Sequence, residues 1–167
     1  WRRNEWPKLD LNGSGREVPE AVIGHFRDIQ NIKRMAVAGV MIDVVKSPFE
    51  NRERYRQEVK AKIRECRDGQ SWVVFLDPDT GLAPQDRKPG WEHVSESELK
   101  DIWSAMQPGG ILVLYQHKTN RNGTEWVDQK RRQFESALEL SDGSAKIATE
   151  KRIARDVVFF YCTKPEG

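Results

Sequence analysis

The sequence predicts one α/β domain built on a mostly parallel sheet that closes with an antiparallel hairpin. Short, nearly continuous apolar runs alternate with stretches whose apolar residues recur at helical spacing. Strands buried on both faces read this way when helices cover them. The last two elements differ, being adjacent strand candidates with only a turn between them. A length of 167 residues suits a single domain of this kind.

Composition narrows the class. Charged residues make up 32% of the chain and hydrophobic ones 37%, with a net charge of +2, so the surface is heavily charged in both signs. No apolar run approaches the roughly 20 residues of a membrane-crossing helix, and nothing near the start reads as a signal peptide. The two cysteines, Cys66 and Cys162, lie far apart without CxxC or Cys/His spacing. That excludes a disulfide scaffold and a structural zinc site, and the thiols read as those of a reduced, cytoplasmic protein.

Residues 1–18 are polar and contain Pro7, Gly13 and Gly15, so they predict an irregular arm ahead of a domain over residues 19–167. Pro19 suits a first helical turn, and Val22, Phe26 and Ile29 follow on one face with His25 beside them, giving a helix over 19–31. The run 35–45 is apolar except for Asp43 and predicts a buried strand with Asp43 near its end. Ser47, Pro48 and Glu50 form a helix start. Tyr55, Val59, Ile63 and Cys66 continue as one stripe, which Gly69 ends. The run from Trp72 to Leu76 predicts a second buried strand that Asp77 and Pro78 stop.

A loop rich in proline and glycine then leads to Ser95, which with Glu98 makes another capping box. Leu99, Ile102, Trp103 and Met106 line the helix behind it. Pro108, Gly109 and Gly110 end this helix, and residues 111–115 form a third apolar strand. A helix over 124–140 carries Val127, Phe134 and Leu138 on one face and Lys130, Arg131 and Arg132 on another, with Gly143 as its left-handed cap. A polar strand over 146–154, a turn at Arg155 and Asp156, and an apolar strand over 157–162 complete the chain.

In open parallel sheets, ligands bind beyond the carboxyl ends of the strands. Here those ends carry Asp43, then Asp77-Pro78-Asp79-Thr80-Gly81, then Tyr115-Gln116-His117-Lys118. A carboxylate placed directly after an apolar strand loses solvation and calls for a partner.

The segment from Phe75 to Leu82, taken with Leu114 to His117, resembles a bacterial family of methyltransferase-like proteins that carry FLDPDxGL on one strand end and YQH on the next. The resemblance covers residues 36–161. It implies a Rossmann-like three-layer sandwich of the class I S-adenosylmethionine-dependent methyltransferase type, whose hallmark ending is the antiparallel hairpin. The family is similar in layout to adenine-N6 methyltransferases, whose fourth strand ends in (D/N)PP(Y/F/W). On that pattern Asp77 and the Pro78 carbonyl accept hydrogen bonds from the target amine and aim its lone pair at the methyl donor. Asp79 and His117 shape the site, Tyr115, Gln116 and Trp91 touch the substrate, and the loop from Ala83 to His93 covers it.

The resemblance further implies S-adenosylmethionine as cofactor, with Asp43 and Asp77 on the cofactor side, and nucleic acid as a partner. Asp43 reads either as the ribose-binding acid or as a residue facing the cofactor's adenine amine. The pattern departs from the enzymes at two positions: Asp79 replaces the second proline and Thr80 the aromatic residue. The glycines at 13 and 15 miss the usual cofactor-loop spacing, so the first two strands either lie upstream of Trp1 or are missing from a reduced version of the fold.

Three other readings use the same residues. Asp77-x-Asp79 resembles the DxDGT start of haloacid-dehalogenase-type phosphatases, with Thr80 and Gly81 in reversed order. The same two acids with His117 suggest a metal-dependent nuclease or phosphotransferase. A binding scaffold without catalysis would use the basic residues Lys118, Arg121, Lys130, Arg131 and Arg132, and Lys60, Lys62, Arg64 and Arg67, against phosphates. Acids balance these bases over the chain, which also suits plain solvated helix faces.

Overall fold

A computed structural model describes residues 31, 33, 41–45, 51–66, 71–86, 88–118, 125–149 and 154–166. The chain divides into two compact units, Trp1–Ser47 and Pro48–Gly167. Within the first, residues 41–45 carry no strand and Met41 is 90% exposed, so the described part of the 35–45 run is not the buried strand its apolar character predicts. The irregular arm, residues 19–30 of the first expected helix and the glycines at 13 and 15 lie outside the described residues.

The second unit is mixed α/β. Its elements are α1 (Arg52–Arg64), β1 (Val73–Leu76), β2 (Gly81–Leu82), β3 (His93–Val94), α2 (Glu96–Ala105), β4 (Ile111–His117), α3 (Trp126–Ala137), β5 (Lys146–Ala148) and β6 (Val157–Thr163). Four strands form one sheet in the order β1-β4-β6-β5. The β1/β4 pair is parallel, whereas β4/β6 and β5/β6 are antiparallel. Three strands therefore share a direction and β6 runs against them.

The strands are not buried on both sides. Burial alternates along β4 and β6, so Leu112, Leu114, Gln116, Val158, Phe160 and Cys162 form the inner face. On the opposite face Val113, Tyr115, Phe159 and Tyr161 are half-buried, and Val73 and Phe75 of β1 are exposed. Apolar character on both faces reads as double coverage in a sequence, but the described helices close only one face, where the Phe134 ring of α3 lies 5.9 Å from that of Phe160. Among the described residues no helix is long and apolar enough to cross a membrane.

Local signals explain the helix ends. Ser95 Oγ accepts from the Glu98 N–H at 3.2 Å and Glu98 Oε2 accepts from the Ser95 N–H at 2.9 Å, a complete capping box. The cap of α1 is Asn51, whose side chain accepts from the Arg54 N–H. The start suggested by Ser47 and Glu50 lies outside the described residues. Helix α3 is shorter than its pattern predicts, because Glu139 rather than Gly143 takes the left-handed cap, with φ of 57°. The Leu140 N–H then returns to Glu135 O and the Glu139 N–H to Ser136 O, a Schellman ending. Gly143 serves a later turn instead.

Lys130 overturns the expected basic face. Its ammonium is buried and donates to Leu82 O at 3.0 Å and to Gln133 Oε1 at 2.8 Å. Gln133 Nε2 donates in turn to Ala83 O and Glu96 Oε1, both at 2.8 Å. Burial pushes the Lys130 ammonium below the ordinary lysine value, against Glu96 and Asp86, which pull it back up. Four methylenes let a lysine at an inward helical position reach main-chain carbonyls, which residue type alone does not announce.

The segment between Gly81 and Val94 is likewise more than a loop, since β2 and β3 pair in parallel through Gly81 with His93 and Leu82 with Val94. The strand predicted over 146–154 is observed as Lys146–Ala148. Both cysteines are free thiols, and burial pushes Cys162 up to about 12. At the head of β4 a Cβ on Gly110 would stand 2.6 Å from the Trp72 indole. Gly110→Ala is therefore expected to cost about 1–3 kcal/mol by overpacking, read as a lower melting temperature in calorimetry.

Candidate functional site

The site forms where β1 and β4 end side by side. Their register is parallel, with Leu76 opposite Leu114, so Asp77 leaves β1 at the end where Tyr115, Gln116 and His117 complete β4. The antiparallel pairing of β6 sets Val157 opposite His117. The turn before β6 therefore delivers Asp156 to the same rim, and the Lys118 N–H donates to Asp156 O at 2.7 Å.

Asp77 is exposed in area, yet the protein around it removes enough water to raise its carboxyl above the ordinary aspartate value, and the Asp79 carboxylate adds to the rise. Because the folded value is the higher one, Asp77 adds stability at low pH that is lost as pH rises through the window above the ordinary value. Among the described residues no hydrogen-bond donor or cation pairs with Asp77 or Asp79. The Tyr115 phenol is also pushed up, first by burial and then by Asp77, Asp156 and Asp79, so it stays protonated across the working range. Its ring meets that of Phe159 edge-on at 5.8 Å. Three carboxylates at this strand end thus disfavour ionisation of one aromatic hydroxyl.

His117 lies at this rim but is engaged elsewhere. Nε2 is 2.8 Å from Asp156 Oδ2 and Nδ1 is 3.1 Å from Lys118 O, so protein acceptors face both ring nitrogens. Gln116, expected to touch a substrate, is fully buried. Its amide donates to Thr80 O at 2.9 Å and to His117 O at 2.8 Å, and accepts from the Leu82 N–H at 2.9 Å. Thr80, in the aromatic position of the resembled motif, donates its hydroxyl to Glu92 O at 3.0 Å. Pro78 is half-buried between the two acids.

Trp91 is 75% exposed, next to Glu92, whose carbonyl also accepts from the Thr80 N–H at 3.0 Å. The expected covering loop is thus tied beside the Asp79–Thr80 turn. Arg52 of α1 pins the same end of the loop by donating to Gly90 O at 2.9 Å and His93 O at 3.0 Å while gripping Glu98 with Nε and Nη2. Asp43 belongs to the first unit, where its Oδ1 accepts from Lys33 Nζ at 2.8 Å and from the Val44 N–H at 2.9 Å.

Sequence reasoning missed Asp156 and Arg52. Nothing near Asp156 marks it, since only β6 pairing brings it to the rim. Arg52 looks like one more cation of a charged helix. Among the basic residues offered as a phosphate surface, Lys130 is buried and Arg131 lies near Asp128. Among the described residues no group of three His, Cys, Asp or Glu side chains is placed to hold a metal ion. No family model matches the chain, and neither curated proteins nor solved structures give a match.

Proposed function

We propose that this protein binds an amine at the Asp77–Pro78 edge and methylates it with S-adenosylmethionine, on a Rossmann-like, class I methyltransferase-type sheet. The observation that carries the reading is the Asp77 carboxylate, unpartnered among the described residues, raised, and flanked by Asp79 and Tyr115 where two parallel strands end. An anionic rim favours a cationic or amine-bearing group, and a carboxylate beside a main-chain carbonyl offers two acceptors to one amino group. The sheet supports the fold half of the reading: three strands point one way, and an antiparallel hairpin ends the chain with its second strand inserted beside β4.

In this mechanism the Asp77 carboxylate and the Pro78 carbonyl accept hydrogen bonds from the amine's N–H groups, which turns its lone pair outward, and the proton that the nitrogen sheds on methylation would pass to the Asp77 carboxylate and on to solvent. Tyr115 supplies a neutral aromatic wall. Because His117 is committed to Asp156 and Lys118 O, the site works without a dedicated histidine base. Bound S-adenosylmethionine would supply an electrophilic methyl group on a positive sulfonium, a charge that the acidic rim suits. Asp43 suits a ribose less well, since its Oδ1 already serves Lys33 and a main-chain N–H.

Calorimetric titration of the full chain with S-adenosylmethionine is expected to give saturable heat. Asp77→Ala is expected to lower methyl transfer to an amine acceptor, tested on single- and double-stranded DNA and RNA and on small amines, by about 100-fold. A full chain that binds no S-adenosylmethionine would defeat the proposal. That outcome would favour a non-catalytic scaffold, a reading already helped by the pairing of Asp43 and the occupied Thr80 hydroxyl.

A further inference from the structure

We propose that Gln116 is a positioning residue whose buried amide, closed over Gly81, fixes the 77–81 turn on β4 and thereby sets where the Asp77 and Asp79 carboxylates stand. The amide uses its acceptor and both donor hydrogens on main chain, joining Leu82 N–H, Thr80 O and His117 O. Thr80 O accepts a second bond from the His117 N–H at 3.2 Å. One side chain therefore ties the descending end of the turn to the strand beside it, from a position with 0% exposure.

Gly81 completes the fit. It adopts φ of +103°, a conformation L side chains rarely adopt, and a Cβ there would stand 2.4 Å from Gln116 Oε1. Close approach of the amide to the turn thus requires glycine at 81. Two carboxylates two residues apart repel each other, and a free turn would let them separate. The Gln116 clamp resists that relaxation by holding the turn's end. The relevance to catalysis rests on the proposed amine site, but the clamp itself can be tested without activity.

The test is a carboxyl-carbon NMR titration of Asp77 in the full chain and in Gln116→Met, which keeps length but loses the amide. The expected result is a downward shift of the Asp77 midpoint toward the ordinary value, with Leu82 amide exchange about tenfold faster. Val158→Ala, on the same inner face, is expected to lower stability while leaving the Asp77 midpoint in place. Should Gln116→Met fail to fold, exchange in the unaltered protein decides. A Leu82 amide as protected as that of Leu114 supports the clamp, and rapid Leu82 exchange overturns it. An unchanged Asp77 midpoint in folded Gln116→Met also overturns it. Absence of S-adenosylmethionine binding by the unaltered chain would count against the proposed function and leave the clamp standing.

Discussion

Phe160→Ala is expected to lower the unfolding free energy of the second unit by about 3–5 kcal/mol, the usual cost of truncating a fully buried phenylalanine. The ring has 0% exposure and meets Phe134 across the sheet–helix interface. In register it stands between Leu114 of β4 and Ile147 of β5. The cavity would open at the centre of the inner face, where β4, β6 and α3 cannot all move inward without breaking ladder bonds. A domain's total stability is about 5–15 kcal/mol, so this change threatens the folded state itself. Urea unfolding should show the midpoint falling by about 2 M with an unchanged slope. A shift smaller than about 0.5 M would mean that Phe160 is not at the core.

Glu98→Ala is expected to cost about 2–3 kcal/mol at neutral pH, since it breaks both a capping box and the Arg52 pair. Glu98 Oε2 accepts from the Ser95 N–H and Oγ, and the carboxylate is gripped by Arg52 from α1. Burial alone would raise the Glu98 carboxyl, but the Arg52 and Ser95 hydrogen bonds outweigh it and hold the group below the ordinary glutamate value. A depressed value means this contribution is complete above the ordinary value and lost as pH falls through the folded one. The gap between the unaltered chain and Glu98→Ala should therefore narrow on acidification, read from denaturant unfolding at neutral and acid pH. Glu98→Gln separates charge from hydrogen bonding. If it matches the unaltered chain at neutral pH, the ion pair is not what joins α1 to α2. The same arginine holds the carbonyls of Gly90 and His93, so Glu98→Ala should also raise hydrogen exchange at His93 and Val94.

Much of the second unit was legible in the sequence because its signals are local. The Ser95/Glu98 box, the stripe Leu99, Ile102, Trp103 and Met106, and the apolar runs at 72–76, 111–115 and 157–162 each follow from neighbours a few residues away, and the last two are observed as slightly longer strands, Ile111–His117 and Val157–Thr163. The run 35–45 shows the limit of that logic, since apolar composition predicts a strand while the described residues 41–45 form none. Lys130 shows another: a helical position reads as polar from its residue type, while packing against Leu82 O and Ala83 O draws it inside.

By itself the sequence determined that Asp77 follows a strand, that Tyr115 to His117 end the next, and that a hairpin closes the chain. Only the tertiary structure decided which side chains share the rim. Parallel pairing of β1 with β4 joins residues 77 and 115, and antiparallel pairing of β6 adds Asp156 across 39 positions, shown by the contact of His117 with Asp156. The same packing turned Gln116 inward and committed His117. Strand-forming preference acts over neighbouring residues, whereas register depends on how distant segments bury their faces together, so the chemistry of the rim is written in pairing that no single stretch of sequence contains.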